Sequence, residues 1–155
     1  MRRILVSLAL MLWLAPTLHA GEGRVLKVLP QLLDLRGRHA LSPSLYERDA
    51  YQFHLRKYPK ARGGARLAVQ WKAKKADWSK LTLRAEMRWL QGDTIRTVTM
   101  EEPAVKTGYF SNWSEFRVEG ADYAGLGEIV AWRVTLLEDG HPLGELESFL
   151  WSGGK

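Results

Sequence analysis

The sequence predicts a mainly β protein: an immunoglobulin-like antiparallel sandwich of six or seven strands with one inserted helix. Three observations predict it. Apolar and polar residues alternate through several segments after residue 66, turn residues separate those segments, and one capped helical segment precedes them. A small closed β-barrel is the alternative, because a similar number of antiparallel strands can close on themselves.

The N-terminal segment has the three parts of a secretory signal. Arg2 and Arg3 precede a run over residues 4–15 that is apolar except for Ser7, and Ala20 is a small residue at the cleavage point. As a helix, this run would rise about 18 Å, far less than the roughly 30 Å of a bilayer core. We therefore expect residues 1–20 to be cleaved, leaving an exported protein, periplasmic or secreted, without a membrane span.

The mature chain is predicted to be one domain, residues 21–151, with a flexible tail at 152–155. A chain of this size buries about two thirds of its unfolded surface, which is enough for one core. It contains no cysteine, which excludes disulfides and attachment as a lipoprotein, so the fold must be held by packing. The sequence indicates no cofactor.

The predicted helix covers residues 45–57. Ser44 and Glu47 fit a capping box at its start, and Pro59 ends it. Its aromatic and aliphatic side chains fall on two adjacent stripes, which predicts a wide apolar arc against the protein (Tyr46, Ala50, Phe53; Tyr51, Leu55, Tyr58). The remaining side chains are expected to face water (Arg48, Asp49, Gln52, Arg56).

Period-two patterning and turn residues predict the strands. They are an edge strand at 25–35, which contains Pro30, and then strands at 67–74, 81–89, 94–101, 113–118, 128–138 and 143–151. Residues 21–24 are expected to be a loose leader and residues 58–66 a loop. Asp139-Gly140 predicts a tight hairpin, because both residues tolerate positive φ angles.

Aromatic residues in two loop-like stretches are the candidate binding residues. Trp78 lies in a polar link between two predicted strands, next to Lys74 and Lys75, and Tyr109 and Trp113 lie in a second stretch with Phe110. Flat rings beside hydrogen-bonding groups suit sugar stacking and cation binding. The competing interpretation is that Trp78 covers the end of the core.

Charge is distributed unevenly along the chain. Residues 56–75 hold eight basic residues and no acidic one, whereas residues 101–147 hold ten acidic residues. This pattern predicts either an anionic partner or pairing between the two halves within the fold. The export signal argues against nucleic acid, so an envelope or extracellular glycan, or a partner protein, is the expected ligand.

No catalytic motif stands out. The sequence has no G-x-S-x-G and no H-E-x-x-H, and its acids do not form a calcium loop. We therefore favour a non-enzymatic binding domain. One alternative is a small secreted glycan hydrolase that uses Glu145 or Glu147, since glycosidases need two carboxyl groups about 5–10 Å apart. The other is a structural subunit of an envelope assembly that docks through a strand edge or the helix.

Three stretches carry a resemblance: residues 41–51 (LSPSLYERDAY), 69–72 (VQWK) and 148–151 (SFLW). On these residues the mature chain resembles small exported proteins of verrucomicrobial-type bacteria. The resemblance implies an exported bacterial protein. It implies no activity and no site residue, because the group is uncharacterised.

Overall fold

The computed structural model describes residues 21–153, and these residues form seven strands and two helices. The strands are β1 (Glu22–Asp34), β2 (Arg62–Lys74), β3 (Leu81–Gln91), β4 (Thr94–Pro103), β5 (Asn112–Glu119), β6 (Glu128–Glu138) and β7 (His141–Glu147). The helices are α1 (Leu45–Lys57) and the short α2 (Gly120–Tyr123), with single 3-10 turns at Pro59–Ala61 and Trp78–Lys80. The predicted signal peptide, residues 1–20, lies outside the described residues.

The strands form two antiparallel sheets. One sheet has the order β1-β2-β5 and the other the order β4-β3-β6-β7. This places the first, second and fifth strands opposite the third, sixth and seventh, as in immunoglobulin-like sandwiches. The predicted β-sandwich with one inserted helix is therefore confirmed, and the closed barrel is wrong because the two sheets stay separate.

Alternation along the strands builds the core between the sheets. On β3, every second side chain from Leu81 to Trp89 is buried, while the residues between them are half-exposed. Leu67, Val69 and Trp71 of β2 face them from the other sheet. The period-two pattern correctly identified the inward faces of both strands, because it follows directly from the pleat.

Three predicted boundaries are wrong. Residues 22–24 belong to β1 and residues 62–66 to β2, although both were expected to be irregular. Gly64 explains the second error: a Cβ there would lie 2.6 Å from the Val118 carbonyl oxygen, so glycine is required for the strands to approach. At the other end, β7 stops at Glu147, and the chain then turns so that the Trp151 ring lies 4.1 Å from the Arg88 guanidinium. The expected flexible tail begins in this turn, where the Ser152 hydroxyl donates to Glu147.

The outer edge of β1 is covered near both of its ends. Near the start of β1, β7 packs against it, and a Cβ on Gly144 would lie 2.5 Å from the Gly23 carbonyl oxygen. Near the end of β1, the Gln52 side chain of α1 pairs with its backbone. Gln52 Oε1 accepts from the Leu32 amide at 2.8 Å, and Nε2 donates to the Leu32 carbonyl at 2.9 Å. The side-chain amide thus takes the place of a neighbouring strand.

Helix α1 therefore presents a different face to the protein from the one predicted. Its N-terminal cap is confirmed, since the Ser44 hydroxyl accepts from the Glu47 amide. The inward face, however, consists of Tyr51, Gln52 and Leu55, and Gln52 is only 6% exposed. Tyr46 and Phe53, expected to be packed, are 84% and 64% exposed. The predicted arc is therefore confirmed for Tyr51 and Leu55, and its other stripe is wrong because the helix buries Gln52, which was expected to face water.

Asp34 ties α1 to the turn that follows β1. Its carboxylate accepts from the Arg36 and Arg38 amides, the Arg38 guanidinium and the Tyr51 hydroxyl at 2.7–2.9 Å. Burial alone would raise the pKa of Asp34. The hydrogen bonds from Arg38 and Tyr51 outweigh that effect and hold the pKa far below its usual value of 3.8.

We expect Asp34→Asn to lower the free energy of unfolding at pH 7 by about 2 kcal/mol, because the amide accepts fewer and weaker hydrogen bonds. Since the folded-state pKa is depressed, the stabilisation is fully present above the unfolded-state pKa and is lost as pH falls below about 4. Urea unfolding of both proteins at pH 7 and pH 3 should show the gap narrowing. Asp49→Asn, at an exposed carboxylate on α1, is the control, and an equal loss there would contradict the role of Asp34.

Candidate functional site

The loops that carry the predicted binding residues meet at one end of the sandwich, which we call the loop end. It consists of the chain start at Gly21, the β2–β3 loop, the β4–β5 loop and the β6–β7 turn. The Glu138 carboxylate accepts from the backbone amides of Gly21 and Asp77, and the Asp139 amide donates to the Lys80 carbonyl at 3.0 Å. These bonds join three of the four segments into one surface.

The β4–β5 loop is the most prominent part of the loop end. Its first residue, Ala104, is buried and donates its amide to the Leu81 carbonyl at 2.9 Å. Near its far side, the buried Asn112 accepts from the Thr107 and Gly108 amides at 2.9 and 3.1 Å. The Thr107 hydroxyl accepts from the Trp113 amide at 2.8 Å. The loop is therefore held in one conformation by its own polar groups.

Two aromatic rings stand at the tip of this loop. Tyr109 is 90% exposed and Phe110 is 87% exposed, and their rings meet edge to face with centroids 5.0 Å apart. Because both rings are exposed, they contribute little of the hydrophobic free energy of folding that buried rings would contribute. A loop braced by four hydrogen bonds keeps them exposed, which is the arrangement that a preorganised contact surface requires.

Trp78 connects this loop to the core. It begins the 3-10 turn that Asp77 caps, and its ring lies 5.8 Å from the buried ring of Trp71. On another side, Lys106 Nζ from the β4–β5 loop lies 5.6 Å from the Trp78 centroid, within the range of a cation–π contact. Trp78 is 38% exposed, so it covers the end of the core and still presents part of its ring to solvent.

Asp77 carries a negative charge next to this ring. Hydrogen bonds from the Ser79 hydroxyl and the Ser79 amide lower the pKa of Asp77 below its usual value of 3.8. The carboxylate is therefore ionised and occupied in capping the turn. By capping this turn, Asp77 fixes the position of Trp78. The groups at the loop end that can bind an anion are therefore the nearby lysines.

Trp113 lies on the outward face of β5, where it is 43% exposed. It pairs with Gln70 of β2, and the Gln70 amide donates to the Ser111 hydroxyl at 2.9 Å. Trp113 thus lies just after the β4–β5 loop in β5. Tyr109 belongs to this loop, and Trp78 is linked to it through Lys106.

Lys74 and Lys75 are at the same end but on the β1 side. Lys74 pairs with Glu22, and Lys75 Nζ lies 3.8 Å from the Glu22 carboxylate. Both lysines are exposed. A concavity of about 540 Å³ adjoins them, and its charged lining consists of three bases and one acid (Arg24, Lys72, Lys74; Glu22). This part of the loop end carries net positive charge.

The basic run over residues 56–75 is divided by the fold. Arg62 and Arg66 are largely buried and pair with Glu128 and Glu115 of the acidic half. The bases before them lie in or just after α1, and the bases after them lie at the loop end. Charge pairing within the fold thus accounts for the middle of the run, and its two ends stay exposed.

Sequence reasoning missed the residues that organise the loop end. Lys106, Thr107 and Asn112 were not among the candidate residues. The available signal was a polar residue, Asn112, at the start of a strand and soon after Thr107-Gly108, a pattern in which an Asn side chain commonly closes a turn.

The carboxylates considered for hydrolysis are engaged in other contacts. Glu145 accepts from the Thr135 hydroxyl at 2.9 Å, and Glu147 accepts from Ser152. Both project from the outward face of β7, a strand at the edge of its sheet. Glu101 pairs with Arg84 and Glu138 caps the loop end, as described above. These contacts give each carboxylate a structural partner.

Residues 21–153 contain no group of three or more His, Cys, Asp or Glu side chains that could hold a metal ion. No helix in the same residues has the length and apolar content needed to cross a membrane.

The fold and the loop end define an immunoglobulin-like sandwich that presents aromatic residues on the loops at one end. No family model matches the chain, and no match was found among curated proteins or solved structures.

Proposed function

We propose that the protein is an exported, non-enzymatic binding module whose loop end binds an anionic glycan of the cell envelope or its surroundings. The observation that carries this proposal is the pair of almost fully exposed rings, Tyr109 and Phe110, on a loop braced by Asn112 and Thr107. The loops at one end of such sandwiches form the binding surface of antibody variable domains.

The chemistry of the loop end suits an acidic sugar polymer. Aromatic faces offer the apolar surface against which the C–H face of a sugar ring can stack, and they lose little conformational entropy on binding. The exposed ammonium groups of Lys74 and Lys75 can attract carboxylate or sulfate groups. A polymer that spans both sides of the loop end would meet aromatic rings on one side and positive charge on the other.

A partner protein is the competing ligand for the same surface. Tyr and Trp are enriched at protein interfaces as well, and three of the four exposed rings at the loop end are of these types (Trp78, Tyr109, Trp113). The exposed lysines of the loop end favour the glycan, because lysine is depleted in the cores of protein interfaces. The choice between the two ligands can be tested directly.

We expect the processed protein to bind immobilised polygalacturonate at low ionic strength, and we expect a Tyr109→Ala/Phe110→Ala variant to bind at least about 30-fold more weakly. Removing an aromatic residue at the centre of a contact commonly costs about 2 kcal/mol or more. Affinity should also fall as salt is raised, because the lysines act through screened charge. Isothermal titration or surface plasmon resonance would measure both effects.

Tyr46→Ala is the matched control, since Tyr46 is 84% exposed but lies on α1, away from the loop end. It should leave polygalacturonate affinity unchanged. Equal losses in the control and the loop variant would contradict the proposal. Absence of binding to any acidic polysaccharide at low salt, combined with recovery of one envelope protein that the loop variant fails to recover, would replace the glycan with a protein partner.

A further inference from the structure

Helix α1 has an outward face that the sandwich does not use. Tyr46, Ala50, Phe53 and Lys57 follow one another at spacings of four, three and four residues, so they form one straight stripe along the helix. All four are exposed, and the stripe lies opposite Gln52 and the rest of the inward face. The outward stripe therefore carries two aromatic rings, an alanine and a lysine.

Further large apolar side chains are exposed near both ends of the helix. Leu41 and Leu45, near the start of the helix, are 60% and 65% exposed, and Tyr58, just past its end, is 48% exposed. We call these residues, together with Tyr46 and Phe53, the α1 face. Five large apolar side chains within 18 consecutive residues are more than the scattered exposure that an ordinary surface shows.

The charge around the α1 face is positive. The connection from β1 to β2, residues 35–61, holds six bases and two acids, a net charge of +4 (Arg36, Arg38, Arg48, Arg56, Lys57, Lys60; Glu47, Asp49). Asp34, which lies just before this connection, is ion-paired with Arg38, so the net charge of residues 34–61 is +3. Both acids lie in the first half of α1, so the second half and the turn after it carry only bases.

We infer that the α1 face binds peripherally to the surface of an anionic lipid bilayer. Helices that lie in a membrane interface combine aromatic and leucine side chains on one face with lysine and arginine beside them. Tyrosine also favours the headgroup region, and Lys57 can extend its ammonium past the ring of Tyr58, from which it lies 5.6 Å. The net charge of the connection attracts anionic headgroups over neutral ones.

This orientation leaves the loop end accessible. Helix α1 joins the end of β1 to the start of β2, whereas the loop end lies at the start of β1 and the end of β2. Strand β2 has 13 residues, which span about 40 Å. Tyr109 and Phe110 therefore lie at the end of the strands away from α1, separated from the α1 face by roughly the length of β2. The inference stands without the proposed function, because the two surfaces share no residue.

Vesicle sedimentation tests the inference. The chain starting at Gly21 is used, since it contains all seven strands and lacks the apolar N-terminal run, which could bind lipid by itself. We expect it to sediment with vesicles of one part phosphatidylglycerol to three parts phosphatidylcholine, and to bind pure phosphatidylcholine vesicles at least about 10-fold more weakly. Binding should decrease as salt is raised.

Three variants identify the surface. Tyr46→Ser/Phe53→Ser and Lys57→Glu/Lys60→Glu should each reduce partitioning to the anionic vesicles by about 10-fold or more, through lost apolar contact and lost charge respectively. Tyr109→Ser/Phe110→Ser removes two equally exposed rings at the loop end and should leave partitioning unchanged. Thermal unfolding should be similar for all three variants, because the altered side chains are exposed.

The inference is overturned by any of four results. They are no sedimentation with anionic vesicles at low salt, equal binding to both vesicle types, unchanged binding of both α1 variants, or a self-associating protein that Tyr46→Ser/Phe53→Ser converts to a monomer. The last result would show that a second copy covers the α1 face. Loss of polygalacturonate binding with vesicle binding retained would concern only the proposed function.

Discussion

Trp71→Ala is expected to lower the free energy of unfolding by about 3–5 kcal/mol, the usual cost of truncating a large aromatic side chain in a core. Trp71 is fully buried between the sheets and is one of the largest side chains there. Its indole Nε1 donates to the Ser114 hydroxyl at 3.0 Å, so the truncation also leaves that hydroxyl without its donor. Equilibrium unfolding in urea would measure the loss.

The matched control is Trp113→Ala. Trp113 follows Asn112, the residue that pairs with Trp71, but it projects from the opposite face of the sheet and is 43% exposed. We expect its truncation to cost less than about 1 kcal/mol, in line with other exposed positions. Similar losses at the two tryptophans would mean that the inward and outward faces are wrongly assigned.

Replacing Trp71 should also weaken ligand binding at the loop end. The Trp78 ring lies 5.8 Å from Trp71 and has the Lys106 ammonium on another side, so removing Trp71 leaves a cavity behind Trp78. Trp71→Phe removes less volume and should leave the protein folded, while weakening the support of Trp78. Reduced polygalacturonate binding by this variant, at a temperature where it is fully folded, would connect the core to the proposed site.

The β-sandwich could be predicted from the sequence because its evidence is local. Alternation along β3 shows directly which side chains point inward, and β6, which has apolar residues on both faces, lies inside its sheet between β3 and β7. The tight turn at Asp139-Gly140 was also predicted correctly, since both residues adopt positive φ angles, of 50° and 79°.

The loop end was harder to predict, because it depends on which strands become neighbours. Trp78 and Tyr109 are 31 positions apart, and only the order of the strands brings their loops to the same end. Lys106 and Thr107 act through a ring and a backbone amide supplied by other segments. No periodic pattern in the sequence encodes such contacts. The exposed aromatic residues could therefore be predicted from the sequence, but the residues that hold them in place could not.

The orientation of α1 was wrong for a third reason. Hydropathy treats glutamine as a residue for the surface and phenylalanine as a residue for the core. Near the end of β1, where no neighbouring strand pairs with its outer edge, a backbone amide and a carbonyl need partners, and only a side chain that both donates and accepts can serve them. Gln52 meets this need, and its burial turns Phe53 toward solvent.

Gln52→Leu is therefore expected to lower the free energy of unfolding by about 2–4 kcal/mol. Leucine has a similar size, but it leaves the Leu32 amide, the Leu32 carbonyl and the His39 carbonyl without the hydrogen bonds they make with Gln52 at 2.8–2.9 Å. A buried polar group without a partner costs about 1–3 kcal/mol, and the added apolar contact offsets only part of the total. Urea unfolding of the two proteins gives the difference directly.

Phe53→Ala is the control that shows whether α1 packs against the sandwich through Gln52 or through its aromatic stripe. If Gln52 faces the protein, truncating the adjacent Phe53, which is 64% exposed, should change the free energy of unfolding by less than about 0.5 kcal/mol. If the helix packed through its aromatic stripe, Phe53→Ala would be the costly change, at about 3 kcal/mol or more, and Gln52→Leu would be nearly neutral. The ranking of the two variants thus determines which face of α1 meets the sandwich, and with it whether Tyr46 and Phe53 are available to bind a bilayer.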